Sequence, residues 1–194
     1  EVGRGPLAGP VTLAAVVLAR KKSFSGLKDS KKLSEKQRNG WFEQLCSDTN
    51  IFYAVSSVYP KVIDRINITE AANLAATNAL QKLVTARFSK KIPFRIYLDG
   101  GLYLKNPKIS NSYETKTIIK GDEKMNAIKL ASIVAKVSRD GYMKRLSKIY
   151  PHFSFEAHKG YGTKAHFAAL RKYGPTKFHR LTFLKNYRYN INES

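Results

Sequence analysis

The run VTLAAVVLA, from Val11 to Ala19, constrains the fold more than any other stretch of this sequence. It is almost wholly apolar and rich in β-branched residues, and at about half the roughly 18 residues of a membrane span it is too short to cross a bilayer. It follows EVGRGPLAGP, which holds three glycines and two prolines. The pair reads as a turn-rich loop leading into a buried strand.

A buried strand needs partners and cover, and the rest of the chain supplies both. IFYAVSSVY (51–59) alternates and is rich in β-formers, FRIYLDG (94–100) reads as a strand ending in a carboxylate and a glycine, and TKTIIKG (115–121) as another strand. Ser34 with Gln37 forms a capping-box signature ahead of Trp41, Phe42, Leu45 and Cys46, which predicts a short amphipathic helix weakened by Gly40. From Asn67, with Glu70 at the capping-box position, Ala71, Leu74, Ala75, Leu80, Leu83 and Val84 recur at near-helical spacing. Ile128, Ala131, Val134, Val137 and Met143 mark another helix from about Asn126 to Tyr150, and a last one runs from a Thr163 cap to Gly174 with Pro175 beyond. This order predicts an α/β sheet with helices packed on it, in one domain of 194 residues.

The formal charge is +21, from 35 Lys and Arg against 14 Asp and Glu, so the first expectation for a partner is a polyanion. A membrane surface or a generally basic proteome would also fit the charge alone. No apolar run is long enough for a membrane span, and the single cysteine, Cys46, excludes an intrachain disulfide and a Cys-based zinc site. A reducing, cytoplasmic compartment is expected. The first residue is Glu1, and the segment after it lacks the features of a secretory leader, so the chain is expected to be cut at its N-terminus.

In so basic a chain, acidic residues beside glycine, at strand ends or on helix faces are informative, and Glu1, Asp99 and Asp140 are the candidates. Asp99 ends the strand IYLDG, where ligand sites form in open α/β sheets, although taken by itself an Asp opening a turn with Gly100 is the favoured reading. Asp140 shares a helix face with Ser132 and Lys136 at four-residue spacing, which also describes a solvated ion pair. Converging carboxylates would supply hard oxygen ligands for Mg²⁺ or Mn²⁺, with Lys and Arg holding a phosphate backbone. His158, His166 and His179 lack the spacing of a closed zinc site.

The opening EVGRGPLAGPV resembles the first motif of the ribonuclease HII family, and the likeness continues through DSKKLSEKQR (29–38), INITEA (66–71), YLDG (97–100), KGD (120–122), ASIVAKVSRD (131–140), GYGTKAH and YGPTKFHR (160–180). The resemblance implies an RNase H-like fold, a mixed five-stranded sheet flanked by helices, with residues 1–150 as the catalytic domain and 151–194 as a helical segment packed on it. It implies metal-ligand and catalytic roles for Glu1 and Asp99, with Asp140 as a further acidic residue of the site. The backbone of Gly3, Arg4 and Gly5 is expected to read the ribose 2′-hydroxyl, Tyr161 to stack on the nucleotide after the cut, and Ser30, Lys31 and Lys32 to contact phosphate. The stretch from Ala157 to Asn192 holds eight Lys or Arg and no acid, a further footprint for a duplex.

The activity so implied is an endoribonuclease, monomeric and dependent on Mg²⁺ or Mn²⁺. It cuts RNA/DNA hybrids and single ribonucleotides in duplex DNA to leave 5′-phosphate and 3′-hydroxyl ends. The sequence departs from the family at Lys129, where a small residue is expected, and in lacking the Asp that precedes Glu1 in the family motif, with most of the first strand. The expectation is that the 194-residue chain is nearly inactive and less stable than an extended form. A catalytically silent hybrid-binding protein is the alternative, and a ribonuclease HIII a weaker one.

Overall fold

A computed structural model describes residues 1–18, 24–87, 95–107 and 113–185. Ala19, the start of the basic loop (20–23), Phe94 and the tail from 186 lie outside the described residues.

The apolar run becomes strand β1 (Val11–Leu18), paired antiparallel with β2 (Ile51–Val58) in a register from Val11 opposite Val58 to Leu18 opposite Ile51. Side chains of a strand alternate between faces, and both faces of this ladder are covered. Val11, Leu13 and Val58 pack on Ala71, Ala72 and Ala75 of helix α3 (Ile68–Arg87). Ala14, Val16, Leu18 and Ile51 pack instead with Leu45 of α1 (Glu35–Ser47) and with Leu130, Ile133 and Val134 of the long helix over Asn126–Ile149, numbered α5. The row of alanines on α3 lets that helix lie close against the sheet.

The second ladder is parallel: β3 (Ile96–Asp99) pairs with β4 (Thr115–Ile118). The described residues thus hold the antiparallel and parallel pairing of a mixed sheet as two separate two-stranded ladders, with Val2 bridged to Thr12. Between the ladders lies a largely apolar cleft of about 1060 Å³, lined by Leu13 and Val17 of β1, Ala76 and Leu80 of α3, Leu98 of β3 and Ile128 of α5, together with Glu1 and Asp99.

Local signals account for most helix boundaries. Both halves of the Ser34 and Gln37 capping box form. At Asn67 only half of the expected box forms: its side chain accepts from the N–H groups of Thr69 and Glu70, while the Glu70 carboxylate turns away to Tyr103 and Lys105. Helix α2 (Pro60–Ile66), with Pro at its first position, was not foreseen. Strand β4 is shorter than expected because Lys120 adopts a left-handed conformation and a four-residue helix, α4 (Gly121–Lys124), begins at once. Helix α5 runs through Lys129 without a break.

The segment beyond 150 folds as α6 (Phe155–His158) and α7 (Lys164–Tyr173), the latter capped by Thr163 and ended by Gly174. Phe153, Phe155, Leu170 and Leu184 close a core with Met143 and Leu146 of α5 and with Ala8 of the opening loop. Among the described residues, no helix is long and apolar enough to cross a membrane.

Candidate active site

Asp99 stands at the carboxyl end of β3. Its Oδ1 accepts from the N–H groups of Gly100 and Gly121, both at 2.9 Å, so it organises a turn and joins the ends of β3 and β4. A Cβ at Gly121 would meet the tip of Ile128 and lie 3.3 Å from that oxygen. Glu1 lines the same cleft. Its Oε1 is 2.7 Å from Arg4 Nε, whereas Oε2 is buried with no hydrogen-bond partner.

The third carboxylate here is Asp122, not Asp140. Asp99 and Asp122 both lie close enough for their charges to act at the backbone nitrogen of Glu1. Lys31 donates to Asp122 at 3.1 Å, and this bond, with the charges of Asp122, Asp29 and Asp99, raises the lysine above its usual range. Asp140 is held elsewhere. Four-residue spacing on α5 places Lys136 Nζ 2.8 Å from its Oδ1, and Arg38 of α1 lies 3.9 Å from its Oδ2, so the buried carboxylate ties α1 to α5. The criterion that singled out Asp99, an acid beside glycine at a strand end, also fits Asp122 after Gly121 and would have found it.

The donor set suits a hard divalent cation: carboxylates from three elements, one of them offering a buried, unsatisfied oxygen. Among the described residues, no three His, Cys, Asp or Glu side chains are drawn tightly enough together to chelate an ion, and Lys31 supplies the neutralising charge at Asp122.

Beside the acids, the loop from Gly3 to Gly5 meets Tyr161. Gly3 has φ +89°, a conformation only glycine adopts without strain, and it is buried. Gly5 is exposed, and a Cβ there would lie 3.7 Å from the Tyr161 ring. That ring is 46% exposed, free to present a flat face. Gly5, in the loop that begins two residues after Glu1, thus stands beside Tyr161.

The family model for Ribonuclease HII matches residues 1–186. A ribonuclease HII from Caldicellulosiruptor bescii is 48% identical over 186 residues, covering 96% of this chain and 84% of that protein. The chain belongs to the ribonuclease HII family. Among solved structures, the ribonuclease H2 from Pyrococcus horikoshii OT3 is similar with a TM-score of 0.67 and 29% identity, over 94% of this chain and 90% of that one. Bst-RNase HIII, solved in complex with Mn²⁺, shares the fold with a TM-score of 0.66 at 19% identity, over 94% and 64% of the two chains. The RNase H-like fold expected from the motifs is therefore the observed one, although the described residues hold four strands in two ladders in place of the expected five-stranded sheet.

Within this ribonuclease HII chain, one expected contact needs revision. The Ser30 hydroxyl is buried 2.7 Å from Ser132 Oγ, so it fastens the basic loop to α5 and is not free for phosphate. Lys31 and Lys32 remain exposed beside it. The histidines are committed to one another and to backbone. Thr176 N donates to His179 Nδ1 at 2.9 Å, which places the His179 proton on Nε2, and this donates to His166 Nε2 at 3.0 Å. His166 Nδ1 in turn donates to the Tyr161 carbonyl at 2.8 Å. His158 is stacked on His166, donates to Phe153 O and accepts from Gly160 N. Burial holds His166 and His179 neutral, each lowered to about 4. In the ribonuclease HII fold of this chain they are a brace under Tyr161.

Proposed function

We propose that this chain hydrolyses the RNA strand of RNA/DNA hybrids and incises duplex DNA at embedded ribonucleotides, leaving 5′-phosphate and 3′-hydroxyl ends. The observation that carries the reading is the buried, unpartnered Oε2 of Glu1 in a cleft shared with Asp99, in a chain of the ribonuclease HII family. Glu1, Asp99 and Asp122 would hold Mg²⁺ or Mn²⁺, Asp122 taking the place first assigned to Asp140. Bound there, the metal supplies an activated water and stabilises the leaving oxygen.

The chain's own groups bind and orient. Arg4 and Gly5 offer backbone donors at a glycine-rich surface that admits a ribose, and the 2′-hydroxyl is the group that separates RNA from DNA. Tyr161 offers a stacking face for the next nucleotide. Lys31 and Lys32, with the net charge of +21, hold the phosphate backbone.

The test uses a duplex carrying one ribonucleotide, with the 194-residue chain and with a form carrying an apolar strand ending in Asp ahead of Glu1. Cutting that needs Mg²⁺ or Mn²⁺ and is abolished by Asp99→Asn, with hybrid binding kept, supports the reading, since the amide keeps the Oδ1 acceptor and removes ligand charge. Undiminished cutting in excess chelator, or by Asp99→Asn, overturns it. Tight hybrid binding by both forms without any cutting favours the catalytically silent alternative.

A further inference from the structure

Among the described residues, the two largest fully buried side chains carry guanidinium groups, Arg139 at 1% exposure and Arg180 at 0%. Burying such a charge is costly unless it is paired, yet among the described residues neither arginine makes an ion pair. Burial, followed by the charge of Arg139, lowers Arg180 to about 9, and burial lowers Arg139 as well. A pair of charges kept at this cost has a use that a neutral side chain would not serve.

Every nitrogen of both groups donates to a backbone carbonyl. Arg180 reaches Gly3 O at 2.6 Å, Arg4 O at 2.7 Å and Gly9 O at 3.0 Å. Arg139 reaches Pro10 O at 2.8 Å, Ala8 O at 3.1 Å and, across in the Tyr161 loop, Lys159 O at 3.0 Å. Arg180 also uses its own N–H, on Leu7 O at 2.8 Å. The carbonyls of the opening loop are thus drawn to the interior.

A trans peptide is planar, and its C=O and N–H point in opposite directions. The carbonyl of Gly3 shares a plane with the N–H of Arg4, and the carbonyl of Arg4 shares one with the N–H of Gly5. When Arg180 pulls those two oxygens inward, it turns those two N–H groups outward. They lie on the side where Gly5 is exposed and Tyr161 stands, and among the described residues neither N–H makes a backbone hydrogen bond. Leu7, Ala8 and Gly9, further along the same loop, do spend theirs, on Gly160 O and Phe178 O.

We propose that Arg180 is a positioning residue for ribose recognition: from the interior it fixes two successive peptide planes so that the N–H groups of Arg4 and Gly5 face the 2′-hydroxyl. Arg139 fastens the Tyr161 loop to the same frame. This inference rests on the ribose reading proposed above and adds what sets its selectivity.

The experiment measures Kd by fluorescence anisotropy for a DNA duplex with one central ribonucleotide and for the same duplex all-deoxy, without divalent metal. Wild-type protein is expected to prefer the ribonucleotide duplex. Arg180→Lys, which keeps charge and loses the fork, and Arg180→Met are expected to lose that preference by about tenfold while all-DNA affinity holds. Variants that unfold cooperatively yet keep the wild-type ratio overturn the role of Arg180, whatever their thermal midpoint.

Amide hydrogen exchange on the wild-type protein needs no variant. The Arg4 and Gly5 amides are expected to exchange fast in the free protein and to become protected on the ribonucleotide duplex but not on the all-deoxy one. Slow exchange in the free protein overturns the outward placement. Equal wild-type affinity for the two duplexes, with no protection, sinks the ribose reading and this inference with it. Wild-type discrimination left intact by both variants sinks the inference alone.

Discussion

The opening ten residues belong to two regions built on opposite terms. From Gly3 to Pro10 the chain is clamped: Arg139 and Arg180 hold five of its carbonyls, and the C-terminal loops hold three of its N–H groups. At Glu1, two residues earlier, the same chain reaches an acidic rim where an oxygen is left buried and unpartnered and where Asp122 is balanced only by a largely exposed Lys31. Carbonyls of the clamp are spent on the fold, and carboxylates of the rim are held back for a ligand. Substitutions that disturb the clamped carbonyls should therefore cost stability, and those at the rim turnover.

The largest separation is expected between two aspartates. Asp122→Asn should abolish turnover and change stability by less than about 1 kcal/mol, because its partner is an exposed lysine that water solvates as well. Asp140→Asn should do the reverse, costing about 1–3 kcal/mol because Lys136 and Arg38 lose a buried anion, while substrate binding is kept. Denaturant melts and single-ribonucleotide cleavage, run on both variants, make the comparison. If Asp140→Asn were stable and inactive, Asp140 would return to the metal site.

Next in size is the contrast between two glycines. At Gly3 the positive φ, the overlap of a new Cβ with Arg139 and its 2.7 Å approach to Pro10 O combine, so Gly3→Ala should cost at least about 2 kcal/mol. Gly5→Ala meets only the Tyr161 edge and should stay within about 0.5 kcal/mol of wild type while weakening ribonucleotide binding. Equal melting midpoints for the two variants would show that the clamp is not where the loop is held. A bulky residue at Gly3, the obvious probe from sequence, reports on folding first.

What the sequence disclosed follows how local each signal is. Strand β1, the Ser34 cap and the Thr163 cap with its Gly174 stop depend on neighbours a few residues apart, and they stand where the pattern placed them. The metal site was legible only in part. Asp99 announced itself at a strand end; Asp122, beside Gly121, met the same criterion and was passed over, because no periodicity marks the four-residue helix and left-handed lysine that position it. At Asp140 the spacing to Lys136 fitted a site and a tie equally, and only Arg38 arriving from α1 decides between them. The arginine clamp was hidden altogether, since its hydrogen bonds span from 20 to 177 residues of sequence. Nothing in a lone Arg says that it will end against carbonyls and not in solvent.

The smallest effect is expected from acid, and it probes the clamp without any substitution in it. His166 and His179 are buried, share one hydrogen bond through their Nε2 atoms, and are lowered by burial to about 4 from an ordinary 6.5. His158, stacked on His166, is lowered in the same direction. An unfolded chain takes up protons on these rings as pH falls through 6.5, but the folded protein does not until about 4. The unfolded state therefore binds more protons across that window, and stability must fall as pH drops from about 6.5 to about 4, with no further loss from these rings below it. Glu35 and Glu70, lowered by their lysine partners, titrate beneath most of that range and leave its upper part to the histidines. The readout is the thermal midpoint between pH 7 and pH 4.5, in wild type and in His166→Gln, which removes one of the shared rings. The wild-type midpoint should decline through the window and the variant's should decline less. Because the rings stay neutral in the folded protein down to about 4 and His166 Nδ1 still holds the Tyr161 carbonyl, ribonucleotide preference should persist across the same window. A flat wild-type midpoint over that range would mean that burial does not hold these rings neutral in the folded protein.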